Sequence, residues 1–244
     1  MLSGEADVDL LAAAAPVLAS LDPDPVALAD VTVLQAAFEL PAAARTAALP
    51  PGLHPTVPAL AVVLAWRVGD SPWGPFSLAQ VRVSCRSGVR PRGFVVGCVV
   101  DRAAAATQVA SRWGLPAVGG EVTLRRRYDA VELVVACDGS VVCELTAVDP
   151  EPLSPADVAY PVTLTLARTE RGPRLIQLEP DYELTAVERL RPRLLRFDGA
   201  AWGSAALRPA DPVAATVGTG SVSFPRLRFV CRPDVMAFAG TETV

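Results

Sequence analysis

"GFVVGCVVDRAAAATQVASRWGLPAVGG" occupies residues 93–120, and its reading decides the fold. Residues 93–100 are a near-continuous apolar run rich in valine, which reads as a buried strand. Asp101 follows as a candidate N-cap, and the alanine run favours helix to residue 113. Gly114 and Pro116 close that helix. A strand feeding a short helix and a tight corner is thus the local unit.

The stretches on either side extend the strand pattern. "VTVLQAAFEL" (31–40) and "ALAVVLAWRV" (59–68) read as strands, separated by a short helix in "PAAARTAAL" with Pro41 in its first turn. "SLAQVRVSCRSG" (77–88) alternates strictly. Val81, Val83 and Cys85 share one face, and Gln80, Arg82, Ser84 and Arg86 share the other, which reads as a half-buried strand. A hairpin is expected at Asp138–Gly139 and another near Gly172–Pro173, with a turn at Asp198–Gly199. Residues 212–230 are expected to begin with a short helical piece and end in a strand. Residues 1–30 read as an Ala/Pro-rich lead-in and 31–244 as one domain, mainly β (α+β), with a few short helices. So many sequential strands need a closed or wrapped sheet to avoid long exposed edges.

Composition narrows the function. The net charge is −4, so no basic face for nucleic acid is implied. All 22 basic residues are arginine, and without lysine no side-chain amine exists for Schiff-base chemistry. The five cysteines are odd in number and lack a CxxC pair, which reads as reduced thiols. His54 is the one histidine, so a zinc site is hard to assemble. No phosphate loop, nucleophile elbow or metal-spaced acid cluster occurs, so neither cofactor nor metal is expected. The opening residues lack a positive segment before their apolar stretch, and no stretch is long enough to span a bilayer. The expectation is a cytoplasmic protein without a membrane partner.

The order of elements carries a resemblance. "LPPGLHP" follows a short helix, "WGPFSL" opens a strand, and "GFVVGCVVD", a helix and "WGLPAVGG" come next. This order resembles the acetoacetate decarboxylase family, from about residue 31 to about residue 230. The resemblance implies a closed or cone-shaped antiparallel β-barrel, a homo-oligomer, and a pocket for a small keto acid. It also implies a buried lysine with a depressed pKa that forms a Schiff base, so that the iminium draws electrons as carbon dioxide leaves.

Position by position, the family's lysine falls at Ala117 and its cationic neighbour at Val118. The strand glutamate falls at Leu78, after Phe76 in the place of a tyrosine. An earlier glutamate falls near Val63, the family's arginine near Glu39, and the helix Arg–Glu pair at Ala110 and Ser111. The residues that set backbone shape, Gly114 and Pro116, remain. Those that do the chemistry are gone.

The resemblance therefore implies a ligand site lined by Phe76, Leu78, Gln80, Trp113, Leu115, Ala117 and Val118, holding a small, largely apolar carbonyl or keto-acid molecule without decarboxylating it through an imine. Glu39 and Arg82 are the candidate catalytic residues. Glu39 is either a buried acid–base group or a surface residue before the helix at Pro41. Gln80 and Arg82 either line the pocket, with Arg82 pairing a ligand carboxylate, or form a solvated strand face. "RRRYD" (125–129) is an anion site, an interface, or a salt-bridged surface strand. His54 is a general base or a turn residue. Trp73, Phe76 and Trp113 are ligand lining or core. Two function classes stay open: a non-catalytic binder, and an enzyme performing enolisation, dehydration or cyclisation with Glu39, Arg82 or Tyr128. An unrelated β barrel with an accidental likeness is the third alternative.

Overall fold

A computed structural model describes residues 2–87, 90–227 and 229–243. The last residue of the strand expected at 77–88, Gly88, lies outside the described residues. The elements in order are α1 (Val8–Ala14), β1 (Val26–Glu39), α2 (Ala42–Ala48), β2 (His54–Pro55), β3 (Leu60–Asp70), β4 (Phe76–Ser87) and β5 (Arg90–Val100). Then come α3 (Ala103–Trp113), β6 (Ala117–Gly119), β7 (Glu121–Arg126), β8 (Ala130–Cys137) and β9 (Ser140–Leu153). The chain ends with β10 (Val162–Thr169), β11 (Gly172–Leu178), β12 (Asp181–Phe197), β13 (Pro212–Phe224), β14 (Phe229–Cys231) and β15 (Glu242–Thr243). Among the described residues no helix is long and apolar enough to cross a membrane.

The protein is mainly β with a few short helices, as expected. All fifteen strands join one sheet, in the order β15-β14-β11-β10-β5-β4-β3-β1-β13-β12-β9-β8-β7, with β2 on β4 and β6 on β5. The arrangement is compatible with the expected cone-shaped barrel and differs from a closed, purely antiparallel one in two features. Among the described residues the hydrogen-bonded path ends at β15 and β7. The sheet is also mixed, because β10 and β6 each pair with β5 in parallel. A parallel neighbour needs a crossover, and α3 provides the one between β5 and β6.

The central strands β1, β3, β4 and β5 are covered on both sides. One apolar cluster holds Leu34, Ala36, Phe38, Val63, Ala79, Val81 and Val83. The other holds Val33, Leu64, Trp66, Phe76, Leu78, Cys98, Trp113 and Phe224. Side chains alternate along a strand, so neighbours in sequence enter opposite clusters. The strict alternation of residues 77–88 therefore misleads. β4 is buried on both faces, and its polar side is internal: Gln80 is 1% exposed and Arg82 2%.

Several local signals behave as read. Asp138 and Gly139 both have positive φ, at 50° and 75°, as a two-residue turn between β8 and β9 requires. Gly114 ends α3 in the left-handed region at φ 68°, and its N–H reaches the Ala110 carbonyl. Others are reassigned. Asp101 does not cap α3; its Oδ1 accepts the Ser77 N–H at 2.7 Å and ties β4 to the end of β5. The expected helical piece after residue 212 is strand from Pro212 onward, because it pairs with β1 on one side and β12 on the other. β1 begins at Val26, inside the expected lead-in.

Gly114 gives a direct stability test. A Cβ there would lie 2.9 Å from the Ala167 Cβ in a backbone conformation that L side chains avoid, whereas one at Gly119 meets nothing within 4 Å. Gly114→Ala is expected to cost about 1–2 kcal/mol from the left-handed backbone alone. Thermal unfolding should then fall by roughly 3–8 °C, with Gly119→Ala close to unchanged.

Candidate functional site

The site sits on the face of the sheet that carries the second apolar cluster. Register fixes the positions. Ala117 pairs with Cys98, Cys98 with Gln80, Gln80 with Leu64, Leu64 with Gln35, and Gln35 with Thr216. Paired residues share a face, so these six side chains form one row across β6, β5, β4, β3, β1 and β13. Ala117, where the resemblance led us to expect a lysine's place, is two strands from Gln80, or about 10 Å. It is half-buried and abuts the second cluster.

Arg82 lies next to this row. Its Nε and Nη2 donate to the Gln80 Oε1 at 3.0 and 2.8 Å, and its Nη1 donates to the Pro161 carbonyl at 3.4 Å. Among the described residues no carboxylate lies within ion-pair distance. The guanidinium carries five N–H groups, and these contacts use three. A buried cation held by neutral acceptors alone is costly, because desolvation penalises the charge by several kcal/mol. Burial accordingly pushes the Arg82 pKa below its ordinary value, with the nearby Tyr182 and Cys98 opposing that shift.

Two tyrosines cover the row. Tyr182 opens β12 and meets Trp66 edge-on at 6.0 Å. Tyr160 comes from the segment between β9 and β10 and stacks on Tyr182 at 4.1 Å. Burial pushes the Tyr182 phenol up to about 12 and the Tyr160 phenol higher still, so both are neutral donors near pH 7. Burial pushes Cys98 up to about 12 as well. Nothing here is poised to take a proton at neutral pH.

The expected site residues divide cleanly. Phe76, Leu78, Gln80, Arg82, Trp113 and Leu115 are buried on this side of the sheet. Trp113 stacks on Phe224 at 4.5 Å and donates its Nε1–H to the Pro225 carbonyl at 3.0 Å, which fixes the corner before Ala117. Trp73 lies 5.9 Å from Phe76 and 6.1 Å from Trp113.

Three expectations need correction. Val118 is 55% exposed, because strand alternation turns it away from Ala117. Glu39 is exposed at the far end of β1, where only its backbone is engaged, by Ala210 and Asp211. Tyr128 is fully exposed. Neither Glu39 nor Tyr128 is brought to Arg82, so the acid–base set expected of an enolising, dehydrating or cyclising enzyme is not assembled. The three arginines 125–127 are surface residues, with Arg126 paired to Glu188 and Arg127 to Glu132. His54 places its Nδ1 3.0 Å from the Leu2 carbonyl oxygen, in a turn.

Sequence reasoning missed Gln35, Tyr160, Tyr182 and Thr216. Gln35 carried a usable signal, as a lone polar residue inside an apolar strand. Among the described residues no group of three His, Cys, Asp or Glu gathers as for a metal ion.

The comparisons with known proteins agree with this fold. Residues 13–207 match the family model for acetoacetate decarboxylase. The chain belongs to the acetoacetate decarboxylase family. No curated protein matches it. An acetoacetate decarboxylase structure from Legionella pneumophila is similar at 16% identity and TM-score 0.76, covering 87% of this chain and 90% of that one. The enduracididine biosynthesis enzyme MppR, complexed with pyruvate, is similar at 19% identity and TM-score 0.70, covering 87% and 97%. An acetoacetate decarboxylase-like enzyme from Sphingomonas wittichii RW1 is similar at 16% identity and TM-score 0.66, covering 86% and 94%. At these identities the likeness speaks for the fold.

Two tests follow from the electrostatics. Replacing the buried pair in the double variant Arg82→Met/Gln80→Leu removes a charge the fold does not neutralise. Urea unfolding should show no loss of stability, and a gain of up to about 4 kcal/mol. The second concerns alkaline pH. The thiols of Cys85, Cys98 and Cys143 are pushed from 9.0 to about 12. The unfolded chain releases those protons first, so stability holds below pH 9 and falls as pH rises from 9 towards 12. The slope should reach about 1.4 kcal/mol per pH unit for each thiol. Urea midpoints measured between pH 8 and 12 check this, and Cys98→Ala should flatten the fall.

Proposed function

We propose that this protein is a member of the acetoacetate decarboxylase family that binds a small keto acid without decarboxylating it through an imine. Arg82 anchors the ligand's carboxylate. The observation that carries this reading is the buried Arg82 guanidinium, which meets the neutral oxygens of Gln80, Pro161 and the Tyr182 phenol and, among the described residues, no carboxylate. An arginine is not deprotonated on burial, so its charge calls for a permanent counter-charge. A carboxylate accepts two parallel N–H bonds and matches the guanidinium fork, which Gln80 now engages with a single oxygen. The ligand would take that place.

The absence of decarboxylation rests on chemistry. The sequence holds no lysine, and the position that matches the family's lysine is Ala117. A binder is favoured over an enzyme of other chemistry because the groups around Arg82 are an amide, two neutral phenols and a protonated thiol. None of them is a base near pH 7. That MppR has been seen with pyruvate supports the choice of keto acid as ligand class. A homo-oligomer in the cytoplasm is part of the same reading.

Isothermal titration with pyruvate and acetoacetate tests it. Wild-type protein should bind both. Arg82→Met should weaken binding by roughly 30-fold or more, the effect of removing one partner of a buried charge pair. Borohydride added to the acetoacetate complex should leave the polypeptide mass unchanged, and carbon dioxide should appear only at the uncatalysed rate. A trapped adduct, or affinity indifferent to Arg82, would overturn the proposal.

A further inference from the structure

A cavity of about 380 Å³ opens away from Arg82, lined by Thr32, Arg67, Leu124, Arg125, Arg126 and Arg127. Four of its six lining residues are arginines and none is acidic. It forms where β7 packs against β3 at the end of the first apolar cluster. Thr32 and Leu124 are each 5% exposed and make the floor, whereas the arginines are exposed and make the rim. Thr32 is the ladder partner of Arg67. The Arg67 Nη2 donates to the Thr32 Oγ1 at 3.2 Å, which holds one end of the guanidinium and uses one of its five N–H groups. Side chains alternate along β7, so Arg126 shares a side with Leu124, and Arg125 and Arg127 share the other. This end strand therefore brings positive charge to the cavity from both of its sides.

That charge is balanced only in part. Arg126 pairs with Glu188 and Arg127 with Glu132. Asp129 also acts on Arg127, and Arg125 acts on Glu132 from across the hairpin. Yet among the described residues neither Arg67 nor Arg125 has a carboxylate within ion-pair distance. Exposed ion pairs add little to stability, so Arg126 and Arg127 can turn to a stronger acceptor at small cost.

We infer that this cavity binds the phosphate group of a small phosphorylated metabolite, with Arg67 and Arg125 as its principal anchors. A phosphate monoester carries a charge of about −1.5 to −2 at pH 7 and three acceptor oxygens. That matches two arginines without acidic partners, and guanidinium forks engage phosphate oxygens in pairs. A carboxylate brings a single charge and would answer only one of the two. The volume falls at the small end of the range for small-molecule sites, and a floor recessed behind the arginines suits a compact ligand better than a flat anionic surface. The site is separate from the one around Arg82. Arg67 is five positions along β3 from Val62, the ladder partner of Arg82, or about 17 Å, and it follows Val63 and Ala65 on the face of the first cluster. The inference therefore stands independently of the keto-acid reading.

Calorimetric titration of ribose 5-phosphate into the full chain tests it, at about 0.15 M salt, where diffuse surface charge is largely screened. Ribose 5-phosphate should bind and ribose should not. Arg67→Gln and Arg125→Gln should each weaken binding by roughly fivefold or more. They lie on separate strands, so a folding defect in one leaves the other to report, and thermal unfolding identifies such a defect. Arg208→Gln removes the same charge from an exposed loop position beyond the far end of β1 and should change affinity by less than about twofold. No binding of ribose 5-phosphate, equal binding of ribose, or an equal loss in Arg208→Gln overturns the inference. Phosphatidylglycerol vesicles test the other source of phosphate: capture that Arg67→Gln abolishes, without affinity for ribose 5-phosphate, would assign the arginines to a lipid surface and overturn it as well.

Discussion

The architecture depends on burying both faces of β1, β3, β4 and β5. A sheet covered on one side tolerates polar side chains on the other at no cost. Here both sides are closed, one by the cluster around Val81, Val83 and Phe94, the other by the cluster around Trp66, Trp113 and Phe224. Every polar side chain on these strands must then meet a partner inside the protein. Ser84 meets it with Thr56 at 2.8 Å and the Leu60 N–H at 3.0 Å. Gln80 meets it by accepting twice from Arg82. Arg82 does so with neutral partners alone, and the lack of a counter-charge among the described residues distinguishes it from the packing around it.

Legibility followed the range of the interaction responsible. Where residues adjacent in sequence decide, the sequence sufficed: the left-handed pair Asp138–Gly139, the Gly114 stop after α3, and the short helix behind Pro41. Partners distant in sequence defeated it. Nothing near Asp101 announces that its carboxylate serves Ser77, 24 residues earlier, and nothing in residues 212–217 announces two strand neighbours. The alternation in β4 suggests a half-buried strand where both faces are buried, because alternation reports which side chains share a face and not what covers that face. Arg82 and Gln80 were legible as a shared face with Leu78. Tyr160 and Tyr182 were not, because they reach the site from segments about 80 and 100 residues further along the chain.

On the resemblance that puts the family's lysine at Ala117, the missing amine and the buried arginine are linked by charge. A catalytic lysine answers burial by releasing its proton, which is why an amine can work in a dry site. Arginine has no such escape. An ancestral-type site with a lysine at position 117 would place a titratable amine about 10 Å from Gln80 on the row beside Arg82, and the two like charges would oppose each other. With Ala117 in place that opposition vanishes, and one permanent positive charge is left in the cluster. The phenols of Tyr160 and Tyr182 cannot neutralise it, since burial keeps their protons on. Cys98 cannot either, for the same reason. Within the described residues the compensation is dipolar, from one amide, one carbonyl and the Tyr182 hydroxyl, and a dipole offsets only part of a buried unit charge. A cluster so arranged favours an anion over any neutral guest of equal size, and it favours one that brings its negative charge at neutral pH without needing a base to create it. A carboxylate meets both conditions, and for that reason the proposed ligand is a keto acid.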